Sequence, residues 1–280
     1  MRISFACLRC LPAFACLALA TACHDSSPTP EDLNLVLGNP SGATSDSNQP
    51  TNYLLTRPEY ALSYHRGRGI PNWVSWHLAA HNLGSAARQD NFRADNVLPA
   101  GWYPVTAGSY TNSGFDRGHH CPSADRTAST ERNAATFLMT NMLPQAPNLN
   151  QRAWADLEEY CRTLVRGGRE LHIVMGSYGT GGTGSQGAAT TLDQGRVTVP
   201  ARVWKVVVVL PAGQFDANLV DAATRVIAVD APNQNSVAAW GGYRTTVDAI
   251  EAATGLDLLS AVAVGTQATL EARVDSGPTQ

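Results

Sequence analysis

The sequence predicts a single α+β domain over about residues 51–275. Three observations support this prediction. Residues 72–78 alternate and are rich in aromatic side chains, residues 202–210 are nearly all β-branched, and residues 150–165 place apolar side chains at three- or four-residue intervals. Alternation and a β-branched run are typical of strands, whereas the longer interval is typical of a helix. Because the chain shows no internal repeat, one domain is the simplest organisation.

The composition excludes two classes of protein. The chain has 280 residues, of which 44% are hydrophobic and 15% charged, with a formal net charge of −3. A disordered chain would have fewer apolar residues or a larger net charge. A protein that coats nucleic acid needs a basic face, but the pI here is about 6.1 and Lys205 is the only lysine. Any phosphate chemistry must therefore come from a local cluster of arginines.

Residues 1–22 are predicted to be a signal peptide. Arg2 and Arg9 give a basic start, and the apolar stretch at 11–20 is too short to span a bilayer. Ala20 and Ala22 fit a cleavage site, while the small residues before Cys23 resemble a lipobox, so lipid on Cys23 would attach the protein to a membrane. Both routes predict export, giving a periplasmic, outer-membrane lipoprotein or secreted protein. Removal of the segment leaves 18 basic and 23 acidic residues, a formal charge of −5.

Residues 23–50 are predicted to be a flexible linker, and residues 51–280 the domain itself. The linker prediction rests on the many Ser, Pro, Asn, Asp and Thr residues in this stretch. Within the domain, residues 129–143 are expected to hold helix or irregular structure. Strands are expected at 171–174 and 197–199.

The end of the domain has two further local features. Residues 246–254 are predicted to be a helix that ends at Gly255. Residues 176–187 contain six glycines, but no Lys-Ser or Lys-Thr pair and no helix follow them, so a phosphate-binding loop lacks its parts. We interpret this segment as a mobile surface loop.

Two cysteines remain in the domain. Cys121 and Cys161 are the only pair left if Cys23 carries lipid. An oxidising compartment would favour a bridge between them. The sequence therefore suggests a Cys121–Cys161 disulfide as a hypothesis.

The densest group of reactive side chains lies at residues 114–122. Asp116, Arg117, His119 and His120 stand within five residues, with Gly118 allowing a turn between them. Histidine suits general-base work because its ordinary pKa lies near neutrality. Arginine suits phosphate because its planar fork donates two parallel hydrogen bonds. The alternative interpretation is a charged turn with surface histidines.

A second polar group follows at residues 141–158. On a helix, Asn150, Trp154, Glu158 and Arg162 step by four and would lie along one face. Amide and carboxylate oxygens are hard ligands that suit Mg²⁺. The alternative is an ordinary helix, with Asn150 as its cap and Glu158–Arg162 as a surface ion pair.

Together, the two groups resemble the non-specific DNA/RNA endonucleases of the ββα-metal (His-Me finger) superfamily. The motifs are D-R-G-H at 116–119, T-N-M-L-P-Q at 140–145 and N-Q-x-x-W-x-x-L-E at 150–158. Further stretches of resemblance lie at 71–74, 91–95, 201–206 and 247–256. The resemblance implies a ββα-metal nuclease fold, with a central antiparallel sheet and flanking helices.

The resemblance also implies roles for single residues. His119 corresponds to the general base that deprotonates the attacking water, and Arg117 to a contact of the phosphate or transition state. Asn150 corresponds to the only direct protein ligand of a catalytic Mg²⁺, for which Mn²⁺ can substitute. Glu158 corresponds to the carboxylate that holds the waters of that metal. Asn141 joins these as a polar residue of the catalytic group.

Substrate contacts are implied at three more positions. Arg162 and Asp116 are expected at the substrate-binding site, together with one upstream arginine. For that upstream position Arg88 is preferred, and Arg93 remains the alternative. Phosphate contacts carry no base information, so DNA and RNA are both expected as substrates, cleaved without regard to sequence.

Several alternatives stay open. His120-Cys121 departs from the family pattern after the D-R-G-H motif, so the base could be His120, or a zinc ion could bind His120, Cys121 and Cys161. The chain could also be an envelope phosphodiesterase acting on small nucleotides, or an inactive binding protein of the same fold. Nothing in the sequence indicates an oligomeric state.

Overall fold

The computed structural model describes residues 1–2, 33–213, 216–235 and 238–280. Residues 3–32 lie outside these ranges. They hold nearly all of the predicted signal peptide, Cys23 as the proposed lipidation position, and the first part of the predicted linker.

The described part of the chain contains strands of two kinds, seven that build one large sheet and three pairs that form small ones. In chain order they are β1 (Tyr53–Thr56), β2 (Ala61–His65), β3 (Ile70–Leu78), β4 (Asp116–His119), β5 (Met142–Gln145), β6 (Arg169–Tyr178), β7 (Gly182–Gly184), β8 (Gly187–Ala189), β9 (Thr191–Leu192), β10 (Val197–Thr198), β11 (Arg202–Pro211), β12 (Arg225–Pro232) and β13 (Arg244–Thr245).

The helices are short apart from one. They are α1 (Thr130–Ala135), a π-helix (Leu149–Trp154) that runs directly into α2 (Ala155–Arg166), α3 (Val247–Thr254) and α4 (Val264–Glu271). The predicted helix at 150–165 is confirmed, although its first turns are π-helical. The predicted helix at 246–254 is also confirmed, and Gly255 ends it with a φ of 72°.

The large sheet has the strand order β1-β2-β3-β6-β11-β12-β13, with every neighbouring pair antiparallel. The strand predictions for 72–78, 171–174, 197–199 and 202–210 are confirmed. Successive residues of β11 face opposite sides of the sheet. Val207 therefore joins one apolar core, called the first core below, while Val206 and Val208 join the other, the second core. Burial on both faces explains why β11 is an almost unbroken apolar run.

The site is built on a small unit beside this sheet. Strands β4 and β5 pair antiparallel, with Asp116 opposite Gln145 and His119 opposite Met142. The π-helix and α2 follow β5 directly in the chain, which gives a β-β-α unit. At Gly118, a Cβ atom would lie 2.7 Å from Cβ of Gln145. Only glycine therefore leaves room for the Gln145 side chain, which packs against this position.

Two segment predictions are wrong. Residues 33–50, predicted as part of a flexible linker, pack on the domain, with Leu37 and Ala43 only 4% and 3% exposed in the second core. The glycine-rich segment 176–187, predicted as a mobile surface loop, contains the end of β6 and the β7–β8 hairpin. This segment is anchored where Ser185 donates its backbone N–H to the carbonyl of Gly114 at 2.8 Å.

The proposed disulfide is also absent. Cys121 and Cys161 are both free and buried, and burial raises the pKa of each thiol to about 12. Both therefore pack as small apolar side chains in the first core.

Among the helices of the described residues, none has the length and apolar character that would let it cross a membrane.

Candidate active site

A polar cleft lies where β4 begins, bordered by the start of the π-helix. Its volume is about 500 Å³. Most of the residues around it are exposed, so the cleft is open to solvent. It is lined by Arg88, Asp90, Phe92, Tyr110, Thr111, Asn112, Phe115, Asp116, Arg117, Asn150 and Gln151. Four of the residues predicted for the site, Arg88, Asp116, Arg117 and Asn150, are thus brought together.

The Asp116 carboxylate fixes the side chain of Asn150. One of its oxygens, Oδ2, accepts a hydrogen bond from Asn150 Nδ2 at 2.8 Å and another from Gln151 Nε2 at 2.8 Å. Because a carboxylate can only accept, the amide nitrogen of Asn150 must face Asp116. Its Oδ1 is then the atom left to bind a cation. An amide oxygen next to a carboxylate is a donor set that fits a hard divalent ion such as Mg²⁺.

This arrangement changes the predicted role of Asp116. The sequence assigned Asp116 to substrate binding, but an anionic carboxylate repels a phosphate anion. The structure instead uses it to orient Asn150 across a separation of 34 residues in the chain.

The π-helix changes the predicted helix face. A π-helix has a wider turn than an α-helix, so a four-residue step does not keep side chains in line. Asn150 lines the cleft, whereas Trp154 is 1% exposed and lies in the core. The predicted single face is therefore wrong for Asn150, whereas Trp154 and Glu158 both lie against Lys205.

His119 lies between two aromatic rings beside the cleft. Its ring centroid is 5.6 Å from that of Phe92 and 5.0 Å from that of Phe137. Each of these rings also carries an arginine, with Arg117 4.3 Å from the centroid of Phe92 and Arg88 4.8 Å from that of Phe137. The two aromatic side chains therefore set the spacing between the histidine and both guanidinium groups.

The surroundings keep His119 uncharged. Burial is the largest cause that lowers its pKa, to about 3, followed by the positive charge of Arg88 and then by His120 and Arg117. The imidazole is therefore neutral at physiological pH and able to accept a proton. Its Nε2 atom is buried and has no hydrogen-bond partner among the described residues.

The structure distinguishes the two candidate upstream arginines. Arg88 lines the cleft and donates from Nη1 to Ser123 Oγ at 2.8 Å. Arg93 instead donates to the backbone carbonyl of Ala134 at 2.7 Å and does not line the cleft. The geometry therefore favours Arg88 as the residue that faces a substrate.

Asn141 is buried and holds the chain that follows His119. Its side chain accepts from Cys121 N at 3.0 Å and donates to the carbonyls of Cys121 and Thr136, both at 2.9 Å. Its own carbonyl accepts from the backbone N–H of His120 at 2.9 Å. Since Asn141 is 0% exposed, its predicted catalytic role becomes a positioning role.

His120 is not available as the base. The residue is 0% exposed, and its ring nitrogen Nδ1 lies 3.0 Å from the carbonyl of Asn141. The alternative zinc site also fails. Within the described ranges, a single group of three or more His, Cys, Asp or Glu side chains brings its ligand atoms within 4.8 Å of one another, and it does not include His120, Cys121 or Cys161.

Glu158 is held by the only lysine of the chain. Lys205 Nζ on β11 lies 3.3 Å from Glu158 Oε1, and Lys205 is 1% exposed. The ammonium group also lies 5.0 Å from the ring centroid of Trp154 and 5.6 Å from that of Trp76. Burial raises the pKa of Glu158, and the charge of Lys205 acts against that rise. Sequence analysis missed this partner, although a lone lysine within an apolar strand was a signal.

Arg162 does not reach the cleft. It is 8% exposed, and its guanidinium donates to Asp125 Oδ1 at 2.9 Å and to Glu159 Oε2 at 3.0 Å. The predicted role in substrate binding is therefore wrong, because Nη1 and Nε already donate to carboxylates of the fold and the side chain does not line the cleft.

Comparison with known proteins gives a consistent result. Residues 38–265 match the profile of the DNA/RNA non-specific endonuclease family. A nuclease of Nostoc sp. is 49% identical over 245 residues, which cover 87% of this chain and 86% of the relative. The mitochondrial endonuclease G of Homo sapiens is 34% identical over 167 residues, covering 57% of this chain and 56% of the relative.

A solved structure is similar in fold. A chain of the crystal structure of the EndoG/EndoGI complex superposes with a TM-score of 0.70 at 22% identity. The match covers 85% of this chain and 94% of that chain.

The Lys205–Glu158 pair predicts a specific stability pattern. Lys205→Met leaves a largely buried carboxylate without its cation. The free energy of unfolding, measured with urea, should therefore fall by about 3–5 kcal/mol. Glu158→Gln should also destabilise, because it leaves the buried ammonium unpaired. The double variant should recover part of the loss. Losses that simply add in the double variant would contradict a coupled pair.

Proposed function

Because the chain belongs to the DNA/RNA non-specific endonuclease family and has the ββα-metal fold, we propose that it is an exported, Mg²⁺-dependent endonuclease that cleaves DNA and RNA without sequence preference. The observation that best supports this proposal is the Asp116–Asn150 hydrogen bond, which leaves an amide oxygen free in an arginine-lined cleft.

We assign the general base to His119. The neutral imidazole takes a proton from the water that attacks the phosphodiester. A weak base of this kind becomes stronger when an anionic phosphate binds, since the phosphate offsets the positive charges of Arg88 and Arg117 that lower the pKa of His119. Substrate binding therefore strengthens the base where it is needed.

We assign stabilisation of the developing phosphate charge to Arg88 and Arg117. Both guanidinium groups lie over aromatic rings at the cleft, which restricts their rotation before substrate arrives. Preorganised charges of this kind usually supply the largest share of rate enhancement.

We assign the metal to the Asn150 amide oxygen, and Glu158 would hold waters of that metal, the role that the family resemblance implies. When bound, a single Mg²⁺ supplies positive charge to the phosphate and leaving oxygens. Asp116 holds Asn150 in the required orientation, and Lys205 holds Glu158. These two supports keep both oxygen donors in place before the metal arrives. Mn²⁺ is expected to replace Mg²⁺ because both ions prefer oxygen ligands.

The shape of the cleft favours a polymer over a small nucleotide. Arg88, Arg117, Asn112 and Gln151 are exposed around it, so a long chain can lie across the cleft without being enclosed. All the polar residues that match the family motifs are present in the sequence, which argues against an inactive binding protein.

We further propose that the protein is exported. The basic start, the short apolar stretch and the small residues before Cys23 support a signal peptide over residues 1–22. The mature domain, with a lipid on Cys23 or without one, would then act in the periplasm, at the outer membrane or outside the cell.

Removal of the His119 imidazole tests the general-base assignment. His119→Ala should lower plasmid and RNA cleavage by about 10²–10⁴-fold, the usual contribution of a general base, while circular dichroism stays unchanged. His81→Ala is a matched control, since His81 is exposed and does not line the cleft. EDTA should stop cleavage by the native protein. Near-native turnover in His119→Ala would refute the assignment.

The pH dependence of cleavage tests the arrangement of charge around His119. Activity requires neutral His119, so kcat/KM should fall as the pH drops through the pKa of this histidine, well below 6.5 in the native protein. Arg88→Ala removes a positive charge that lowers this pKa, so the acid limb should move to higher pH. Arg93→Ala should leave the limb where it is. Equal shifts in both variants, or none in Arg88→Ala, would contradict the arrangement.

A further inference from the structure

Three carboxylates converge between the last two helices of the chain. Asp248 and Glu251 stand three residues apart on α3 and so share a face, and Glu271 is the last residue of α4. One oxygen of each lies within 4.8 Å of the others. The helices that carry them pack on the second core, whereas the aromatic residues of the cleft belong to the first. The cluster is therefore separate from the candidate active site.

Glu271 is the buried member of this cluster. It is 8% exposed, and its Oε1 atom is buried without a hydrogen-bond partner in the described structure. A buried oxygen of a carboxylate that lacks any donor is costly. Glu251 is better supplied, since its Oε1 accepts from the backbone N–H of Leu258 at 2.7 Å. That bond restricts the position of the Glu251 carboxylate.

The local charge is uncompensated. The charged groups that act on Glu271 in the described chain are Glu251, Asp248 and Asp257, all acidic. Arg273 is nearby in sequence, but its guanidinium donates to the carbonyls of Ala222 and Thr224. A buried acidic group without a cationic partner is unusual, because charges removed from water are normally paired or bound to metal.

We propose that Asp248, Glu251 and Glu271 form a Ca²⁺ site that fastens the C-terminal helix α4 to α3. Calcium binds oxygen ligands at about 2.3–2.6 Å and accepts irregular geometry, so one ion can bridge three oxygens spaced as these are. Mg²⁺ requires shorter distances and a stricter octahedron, which partly exposed side chains from two helices match less well. Two of the three ligands remain open to solvent, so water can complete the shell.

Calcium binding and thermal unfolding of the full-length protein test this site. The background is Asn150→Ala, which removes the proposed ligand in the cleft. Millimolar CaCl₂ should raise the unfolding temperature by a few degrees over EDTA. Isothermal titration should give one Ca²⁺ per chain. Adding Glu271→Gln should abolish the thermal shift and weaken binding by about tenfold or more.

Two controls separate ligation from general charge. Asp257→Asn removes a neighbouring negative charge but no ligand, so one Ca²⁺ should still bind, with a smaller loss of affinity. In EDTA, Glu271→Gln should unfold at a higher temperature than its parent, because the substitution relieves repulsion. No calcium shift in the Asn150→Ala parent, or an equal shift with and without Glu271→Gln, would overturn the proposal. These measurements do not depend on nuclease activity, so loss of the proposed function would leave them unaffected.

Discussion

The hydrogen bond from Asn150 to Asp116 is the interaction on which the site depends. Asp116 begins β4 and Asn150 lies in the first turn of the π-helix, so one carboxylate joins the hairpin to the helix. An asparagine side chain can present either its oxygen or its nitrogen to a ligand. The negative charge of Asp116 removes that ambiguity by holding the nitrogen. The fold thereby turns a neutral amide into an oxygen donor of defined direction.

The other residues of the site are also held in place by contacts with neighbouring side chains and backbone. Phe92 and Phe137 place two arginines around His119, and Asn141 fixes the backbone just beyond it. Lys205 holds Glu158 from the central strand. Among the described residues, Arg88 and Arg117 are the basic side chains that line the cleft. A chain with a net charge of −3 can therefore act on a polyanion locally and still release its products, because tight static binding would need many more phosphate contacts.

Sequence patterns predicted the elements whose periodicity is set by burial. The β-branched run of β11 reflects burial in cores on both sides of the sheet, and the apolar spacing of α2 reflects packing against one of them. The predictions that were wrong depend on contacts between residues far apart in the chain. Arg162 resembled a substrate contact, but its partner Asp125 lies 37 residues away. Residues 33–50 resembled a linker because Ser, Asn and Pro outnumber the few apolar residues, such as Leu37 and Ala43, that anchor them.

Metal binding by Asp116→Ala, measured without nucleic acid, tests the central claim most directly. The titration uses Mn²⁺ in the Glu271→Gln background. Because that substitution removes a ligand of the proposed Ca²⁺ site, the titration reports on the cleft alone. If Asp116 orients the Asn150 amide, Mn²⁺ affinity should fall by about 10–100-fold, as for other groups that support a metal ligand. Unchanged Mn²⁺ affinity together with weaker nucleic-acid binding would contradict the account, because Asp116 would then serve the substrate and not the metal.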